Sequence, residues 1–318
     1  MAAIALPLVV ALTGPTGSGK SACALALVER LGPRMPVEIV SVDSAQVYRG
    51  MDIGTAKPDR ATRARVPHHL IDIRDPAQSF SAGDFVRAAD EVIAAVHARG
   101  ALPLLVGGTM LYLRALREGL AAMPRGDVGI RAEIEALAAR GGWSAVHDEL
   151  ARVDPEAAAR IAPQDSQRLQ RALEVFRITD CPISRWHAQA RAARPAYRWL
   201  NFSLWPESRQ ALRLHLQLRF EAMLRAGLVE EVRGFYQRGD LTARHSSMRA
   251  VGYRQLWRYC AGELTLEQAV TQAVRDTIQL AKRQLTWLRR ERHFSAVNDL
   301  SVGALEALAE RISATAGA

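Results

Sequence analysis

The sequence predicts an α/β fold in which helices flank a parallel sheet, and two observations support this prediction. Four short, largely apolar runs at residues 8–13, 37–42, 101–106 and 198–204 have the length and composition of buried strands. Segments of helical character lie between them, as after residue 22 and after residue 81. Because parallel strands need crossover connections, this alternation indicates βαβ units.

The first strand leads directly into a phosphate-binding pattern. The residues are Gly14-Pro15-Thr16-Gly17-Ser18-Gly19-Lys20-Ser21, which match G-x-x-x-x-G-K-[ST] between a strand and a helix. The glycines let backbone N–H groups converge on phosphate oxygens, Lys20 supplies a positive charge, and Ser21 can hold Mg²⁺. The pattern predicts a P-loop NTPase-like core that binds a polyphosphate, and leaves open what the phosphate is attached to.

Two polar residues follow later strands, at the edge of the sheet where open α/β folds bind ligands. Asp43 comes after the run at 37–42 and opens a polar and aromatic segment, residues 44–48, that is typical of a binding loop. Thr109 follows the run at 101–106 and is expected near the P-loop. For each residue, the alternative role is the N-cap of a following helix.

The adjacent histidines His68 and His69 suggest a metal site, but they are more simply explained as structural residues. A zinc site needs further ligands at matched spacing. No third ligand with such spacing lies near them in the sequence. We therefore do not expect a metal at this position.

Composition favours a cytoplasmic protein with a polyanionic partner. The 318 residues include 42 Lys and Arg against 33 Asp and Glu, which gives a formal charge of +9. Nucleic acid would explain this excess, and so would an arginine-rich proteome. The 3 cysteines form no CxxC pair, which favours a reducing compartment. The apolar residues 4–12 are too few to span a bilayer, so we expect no membrane partner.

The chain changes character in its middle, which predicts three parts. Residues 1–120 are expected to form the first part of the P-loop core, 121–197 an all-helical insertion domain, and 198–318 the return to the core and the C-terminal helices. In the insertion, helix starts recur at Asp154-Pro155 and Asp165-Ser166. The second of these helices has an apolar stripe made of Leu169, Ala172, Leu173 and Phe176.

The C-terminal third is helical and carries a strongly basic face. A helix is predicted from about Glu267 to Arg292, with a buried face made of Val270, Val274, Ile278, Ala281, Leu285 and Leu288. The opposite face consists of Arg275, Gln279, Lys282, Arg283, Thr286, Arg289 and Arg290. A charged helix face is usually only solvated. One with so little acid among its cations also fits a nucleic-acid backbone.

Seven motifs in one order give the chain a family resemblance. They are GPTGSGKS, DSAQVYRGMDIGTAKP, PHHLID, GGTMLYL, DSQRLQRALEVFRI, RAVGYRQ and KRQLTWLRR. Over nearly its whole length the chain resembles bacterial tRNA dimethylallyltransferases, also called tRNA isopentenyltransferases. Many activities share a P-loop, whereas the run from Asp43 to Pro58 and the last three motifs are far more specific.

The resemblance implies a prenyl transfer in which dimethylallyl diphosphate, rather than ATP, occupies Gly14 to Ser21, with Mg²⁺ as cofactor at Ser21. The acceptor is N6 of the adenosine 3′-adjacent to the anticodon, in tRNAs that read codons beginning with U, and pyrophosphate leaves. Asp43 is the implied general base, since a neutral aromatic amine is a poor nucleophile while it keeps both protons. Thr109 would contact the reacting end of the diphosphate, and Arg131 would offset charge on the leaving oxygens.

The resemblance also implies where the anticodon stem-loop of the tRNA is held by what is expected to be a monomer. The adenine has to be splayed from its stack to reach a deep site. Four segments are expected to contact the tRNA: Asp43, Ser44, Ala45 and Gln46; Gln167, Arg168, Leu169, Gln170 and Arg171; Arg249, Ala250, Val251, Gly252, Tyr253 and Arg254; and Lys282, Arg283, Gln284, Leu285, Thr286, Trp287, Leu288 and Arg289.

Two other functions stay open on the residues alone. A P-loop small-molecule kinase would use Lys20 and Ser21 for ATP and Asp43 to activate an acceptor hydroxyl. Such a kinase would be expected to have an arginine-rich lid and would not need so basic a C-terminal helix. A non-catalytic RNA-binding module that is switched by a nucleotide is the other alternative. It would not explain the segment Asp43-Ser44-Ala45-Gln46. Salt-dependent substrate binding would favour either RNA function over the kinase.

Overall fold

The computed structural model describes residues 6–121, 123–188 and 197–317. The chain separates into two compact units, one made of Met1–Leu116 with Pro195–Ala318 and the other of Arg117–Arg194. The domain boundary predicted at residue 197 adjoins residues 189–196, which lie outside the described ranges, so it stays a prediction.

The larger unit is built on one parallel sheet, which confirms the predicted fold class. Its described strands are β1 (Leu8–Thr13), β2 (Val37–Ser41), β3 (His68–His69), β4 (Leu102–Gly107), β5 (Arg198–Leu204) and β6 (Ser295–Val297). They lie in the order β3-β2-β4-β1-β5-β6, and every neighbouring pair is parallel. The central strand β1 therefore lies between β4 and β5, so the loop that follows it begins at the middle of one sheet edge.

Helices cover both faces of the sheet. They are α1 (Lys20–Leu31), α2 (Arg60–Arg65), α3 (Ala82–Ala98), α4 (Met110–Glu118), which runs two residues into the second unit, and, after the smaller unit, α9 (Arg209–Arg225), α10 (Leu228–Gln237), α11 (Tyr253–Cys260), α12 (Leu266–Leu288) and α13 (Val302–Gly317). Alternate residues of β1 point into different cores: Val9 and Ala11 pack with α3, whereas Val10 and Leu12 pack with α1 and α13. Burial on both faces explains why β1 has no polar alternation.

The smaller unit, as far as it is described, consists of helices around a core of its own. They are α5 (Val128–Val153), α6 (Pro155–Arg160), α7 (Ser166–Thr179) and α8 (Ile183–Ala188). Asp154 caps α6 with Pro155 at its first position, and Asp165 caps α7, as the sequence predicts. The stripe of α7 is buried except at Phe176, which is half-buried and lies outside the core.

The sequence missed two strands and misplaced one helix face. The short β3 holds His68 and His69, and β6 is three residues long, too short for its composition to signal a strand. In α12, Ala269 and Ala273 are fully buried, whereas Val270, Val274 and Ile278 are half-buried. The small alanines allow close packing, which a hydrophobicity pattern does not detect. The helix also ends at Leu288, four residues before the predicted end.

Within the described ranges, no helix combines the length and the apolar character needed to cross a membrane. Residues 4 and 5 of the apolar N-terminus lie outside these ranges. The remainder of that run leads into β1.

Candidate active site

The carboxyl ends of three neighbouring strands bring the predicted site residues together. The P-loop follows β1, Asp43 follows β2, and Thr109 follows β4. Thr109 donates its N–H to the Val42 carbonyl at 3.2 Å, and its Oγ1 accepts the N–H of Ser44 at 3.1 Å. No acceptor for the Thr109 hydroxyl proton is recorded among residues 6–121, 123–188 and 197–317, so the hydroxyl can donate to a ligand.

The P-loop has the backbone that its glycines permit. Gly17 and Gly19 have φ values of +78° and +84°, a region that residues with a side chain rarely adopt. A Cβ at Gly17 would also lie 2.7 Å from Leu216 Cδ2 of α9. Helix α1 begins at Lys20, so the N–H groups of its first turn point toward the loop. The hydroxyl of Ser18 is buried and has no recorded partner in the described part of the chain.

Lys20 lies in a partly desolvated position. Its Nζ donates to the Pro15 carbonyl at 2.6 Å. Burial lowers the pKa of Lys20 to about 8; the Asp43 carboxylate opposes this shift and the Arg219 guanidinium adds to it. An anion entering the P-loop would favour the charged form of this lysine.

Asp43 opens a turn rather than a helix. Its Oδ1 accepts the N–H groups of Ala45 and Gln46, at 2.8 and 3.2 Å, and the residues after it form no helix. The helix-cap alternative for Asp43 is therefore wrong, whereas a side chain that binds its own loop fits an Asx turn. Its second oxygen has no recorded partner among the described residues and remains available to a ligand.

The segment after Asp43 is held by polar contacts, most of which are partly buried. The Gln46 amide accepts from the Ser41 hydroxyl at 2.9 Å and donates to the Thr55 carbonyl at 3.2 Å. The Lys57 side chain is 1% exposed, and its Nζ lies 2.6 Å from a carboxylate oxygen of Asp52 and 2.6 Å from one of Asp72. These contacts make the loop that carries Asp43 a fixed element despite its lack of regular structure.

A carboxylate from α10 ties this same loop to α11. Glu231 accepts the N–H groups of Asp52, Ile53 and Gly54, at 3.0, 2.8 and 3.3 Å. It also accepts a hydrogen bond from the hydroxyl of Tyr253. Tyr253, which was expected to contact tRNA, is fully buried and serves as the link between α11 and the loop.

Arg219 also lies at the site, although no motif in the sequence predicted it. This α9 residue donates from Nη1 to Thr16 Oγ1 at 3.0 Å, and its positive charge helps to lower the pKa of Lys20. Burial lowers the pKa of Arg219. The sequence pattern that could have identified it is its position on the buried stripe of Leu212, Leu216, Phe220 and Met223. A cation on such a stripe costs free energy unless a partner compensates its charge.

A cavity of about 500 Å³ opens beside these groups. Asp43, Thr109 and Arg219 lie on its wall together with apolar side chains from two helices. These apolar residues are Leu216, Phe220 and Met223 of α9 and Leu280 and Trp287 of α12. Arg249 and Arg283 also line it and are exposed. The cavity therefore combines an apolar wall with positive charge.

A second cavity of about 180 Å³ lies beside α1. Lys20, Ser21, Gln46 and His68 are among its lining residues. Asp43 is the residue that lines both cavities. The Asp43 carboxylate therefore lies between the smaller cavity, which contains Lys20, and the larger cavity with the apolar wall.

The predicted tRNA contacts of the C-terminal helices fall into two groups. Arg249, Lys282, Arg283 and Arg289 are exposed and have no ion pair recorded within the described residues. Arg254 pairs with Asp276 at 2.6 Å, whereas Gly252, Leu285 and Leu288 are buried. The first group can contact a polyanion without losing an existing interaction.

In the smaller unit, Gln167 and Arg168 of α7 are exposed, and Leu169 is buried in the core. Arg131 and Arg171 both bind Glu174, which is fully buried, with one nitrogen of each 2.7 Å from a carboxylate oxygen. Because of these two partners, the pKa of Glu174 lies below its usual range despite the opposing effect of burial. Arg131 and Arg171 therefore neutralise an internal charge in this structure.

No cluster of three or more His, Cys, Asp or Glu side chains able to hold a metal occurs among the described residues. His69 Nε2 lies 2.6 Å from Glu38 Oε2, and His68 Nδ1 lies 2.7 Å from the Val66 carbonyl. The two histidines thus have structural partners.

Comparison with known proteins identifies the family to which this arrangement belongs. Residues 46–291, which are most of the chain, match the IPP transferase family. The chain belongs to the IPP transferase family. Its relatives include the tRNA dimethylallyltransferase of Bordetella pertussis, 55% identical over 89% of this chain and 90% of that protein, and the one of Acidovorax ebreus, 53% identical over 95% and 96%.

Solved structures of IPP transferases have the same fold. The tRNA isopentenylpyrophosphate transferase of Bacillus halodurans is 36% identical, with a TM-score of 0.70 over 98% of this chain and 97% of that one. A eukaryotic dimethylallyltransferase that acts on tRNA has a TM-score of 0.74 over 96% of this chain and 78% of its own. At 23% identity, the second likeness shows the fold alone.

Proposed function

We propose that this member of the IPP transferase family is a tRNA dimethylallyltransferase. It moves the dimethylallyl group of dimethylallyl diphosphate to N6 of the adenosine 3′-adjacent to the anticodon, in tRNAs that read codons beginning with U, and releases pyrophosphate. The observation that carries this proposal is the position of Asp43, which lines both cavities. One is the smaller cavity beside α1, where Lys20 and Ser21 lie, and the other is the larger cavity with the apolar wall. A carboxylate there can meet an acceptor base and a diphosphate donor at once.

The P-loop holds the diphosphate of the donor in this proposal. Lys20 and Arg219 face the same loop and are both partly desolvated, so their attraction to phosphate is stronger than it would be in water. The unpartnered Ser18 hydroxyl gains a phosphate oxygen as acceptor. The apolar wall formed by α9 and α12 receives the prenyl group.

The residues present fit a Mg²⁺ ion of the kind found in P-loop enzymes. Mg²⁺ is usually held by one or two protein oxygens, with phosphates and water as the other ligands. Ser21 lines the second cavity and offers such an oxygen. When bound, the ion would stabilise negative charge on the leaving diphosphate.

Asp43 acts as the general base. Its Oδ1 is held by the loop, so its second oxygen accepts a proton of the adenine N6 and orients the nitrogen for attack on the first carbon of the prenyl group. As the carbon–oxygen bond breaks, the hydroxyl of Thr109 donates a hydrogen bond to the reacting end of the diphosphate. The leaving-group role of Arg131 stays a prediction, and we assign the same task to Arg219 from its contact with the P-loop.

The exposed cations of α12 and Arg249 bind the anticodon stem-loop in this proposal, together with the exposed face of α7 in the smaller unit. A free cation neutralises a phosphate and releases counterions. We also propose that the enzyme acts as a monomer in the cytoplasm, where unmodified tRNA is available.

One transfer experiment tests the function. Labelled dimethylallyl diphosphate is incubated with a tRNA transcript whose anticodon ends in A, and a matched transcript lacks only the adenosine next to the anticodon. Label is expected on the first RNA and not on the second. A parallel reaction contains labelled ATP and no prenyl donor. Phosphate transfer from ATP without prenyl transfer would contradict the proposal in favour of a P-loop kinase.

A further inference from the structure

Gln284 was expected among the residues that contact tRNA, but its side chain faces the P-loop. Its Oε1 accepts the backbone N–H of Thr16 at 2.8 Å, and its Nε2 donates to the Gly108 carbonyl at 2.9 Å. One orientation of the amide satisfies both groups, because its two ends have opposite hydrogen-bonding character. The side chain therefore joins the loop after β1 to the segment after β4.

The fold leaves room for this amide. A Cβ at Gly108 would lie 2.5 Å from Gln284 Nε2, so a residue with a side chain at that position would displace it. Ala281 and Leu285, which flank Gln284 along α12, pack in one buried cluster with Leu212 and Leu216 of α9. This packing fixes α12 at the height where Gln284 reaches the P-loop.

Thr16 is restrained from α9 as well. Its hydroxyl accepts from Arg219, while its N–H donates to Gln284. The residue that follows is Gly17, in the left-handed region, where a glycine backbone has few restraints of its own. Two side chains from distant helices thus hold the entrance to the turn whose N–H groups converge on phosphate.

We propose that Gln284 is a positioning residue for the diphosphate site, which holds the P-loop in its phosphate-binding conformation. The inference takes the identity of the donor from the proposed function, but for the phosphate it depends on the P-loop alone. Gln284 serves the donor, whereas its neighbours Lys282 and Arg283 are exposed and serve the RNA. One turn of α12 therefore supports the binding of both substrates, of the donor through the P-loop and of the RNA directly.

The test measures binding of inorganic pyrophosphate with Mg²⁺ by titration calorimetry. Gln284→Leu keeps the volume and removes both hydrogen bonds, and Gln284→Asn keeps an amide that is one methylene too short. Each is expected to bind pyrophosphate about tenfold more weakly, which corresponds to about 1.4 kcal/mol. In the transfer reaction, KM for the donor rises about as much while kcat changes by less than about threefold. Gln237→Leu, the same change at an exposed position of α10, is the matched control and keeps the parent's pyrophosphate affinity.

Unchanged pyrophosphate affinity in both Gln284 variants, with thermal unfolding like the parent's, overturns the inference. So does a loss of tRNA affinity alone, which would place Gln284 on the RNA. A parent enzyme that binds pyrophosphate but transfers no prenyl group contradicts the proposed function and leaves the role of Gln284 intact. A parent that binds no pyrophosphate overturns both.

Discussion

At the scale of single residues, the two carboxylate oxygens of Asp43 have different roles, one in holding the loop and one in the reaction. Asp43 uses Oδ1 to close its own loop and leaves its other oxygen to the acceptor. Lys20 and Arg219 are partly desolvated cations that an incoming diphosphate would stabilise. Changes at Asp43 and Lys20 are therefore expected to alter different kinetic quantities, kcat for Asp43 and the pH dependence of kcat/KM for Lys20.

Replacing Asp43 by Asn should reduce kcat by about 10²- to 10⁴-fold, the usual contribution of a general base. The amide oxygen of Asn still accepts from Ala45 and Gln46, so the loop keeps its shape. Affinity for tRNA, measured by filter binding, should remain near that of the parent. Asp43→Ala lacks that acceptor too and serves as the comparison. An Asn variant within tenfold of the parent's kcat would remove Asp43 from the base role.

The pH dependence of donor use should follow Lys20. Its pKa in the free enzyme is about 8, so the lysine is charged below that pH and loses its charge above it. We expect kcat/KM for the prenyl diphosphate to be level below pH 8 and to fall about tenfold per unit above it. In Lys20→Arg, which stays charged, the break near pH 8 should vanish. A parent profile that rises through pH 8 would contradict this assignment.

At the scale of elements, helix α12 has a different task on each face. Ala281 and Leu285 pack against α9, Gln284 reaches the P-loop, and Arg283 lines the apolar cavity. The sequence predicted the helix and its cations, because charge and apolar periodicity are local patterns. It could not predict that Gln284 points inward, since that depends on where Thr16 and Gly108 come to lie.

The double change Arg283→Ala with Arg289→Ala should weaken tRNA binding and flatten its salt dependence. Each lost phosphate contact lowers the slope of log K against log salt by about 0.7 to 0.9, so the pair should lower it by about 1.5. Filter binding over a series of salt concentrations measures the slope. Arg258→Ala removes an arginine that is already paired with Glu263, and it should leave the slope unchanged. Equal slopes in all three proteins would place the RNA elsewhere.

The loop after β2 marks the limit of sequence-based prediction at this scale. The run from Asp43 to Pro58 stood out as a motif, and its role as a binding loop followed from its place after a strand. The contacts that fix it come from Asp72, 15 residues beyond Lys57, and from Glu231, 178 residues beyond Ile53. No local pattern connects these residues with the loop, so their role as supports emerged only from the structure.

At the scale of the whole molecule, the order of the strands explains what could be predicted. Parallel strands with helical crossovers bring their carboxyl ends to one edge, so the P-loop, Asp43 and Thr109 were expected to meet. Arg219 arrives from α9, which follows the smaller unit in the chain, and the sheet pattern contains no information about it. Local sequence patterns therefore predicted the site residues that follow strands of the sheet, but not Arg219, which lies on a helix.

The two compact units should respond differently to a ligand of the P-loop. Because pyrophosphate binds only the folded larger unit, a concentration 100 times its Kd stabilises that unit by about 2.7 kcal/mol. We expect calorimetry to show two transitions, of which only one shifts upward when pyrophosphate and Mg²⁺ are added. Lys20→Ala should abolish the shift. A single transition that moves as a whole would show that the units unfold together.

The central position of β1 also has a consequence for biosynthesis. β1 leaves the ribosome before its neighbour β5, residues 198–204, which follows only after the entire smaller unit. At 5–20 residues per second, one edge of the most apolar strand waits unpaired for about 10–40 s. An unpaired edge of this kind is a template for aggregation. The nascent chain is therefore expected to depend on chaperones until β5 closes the sheet.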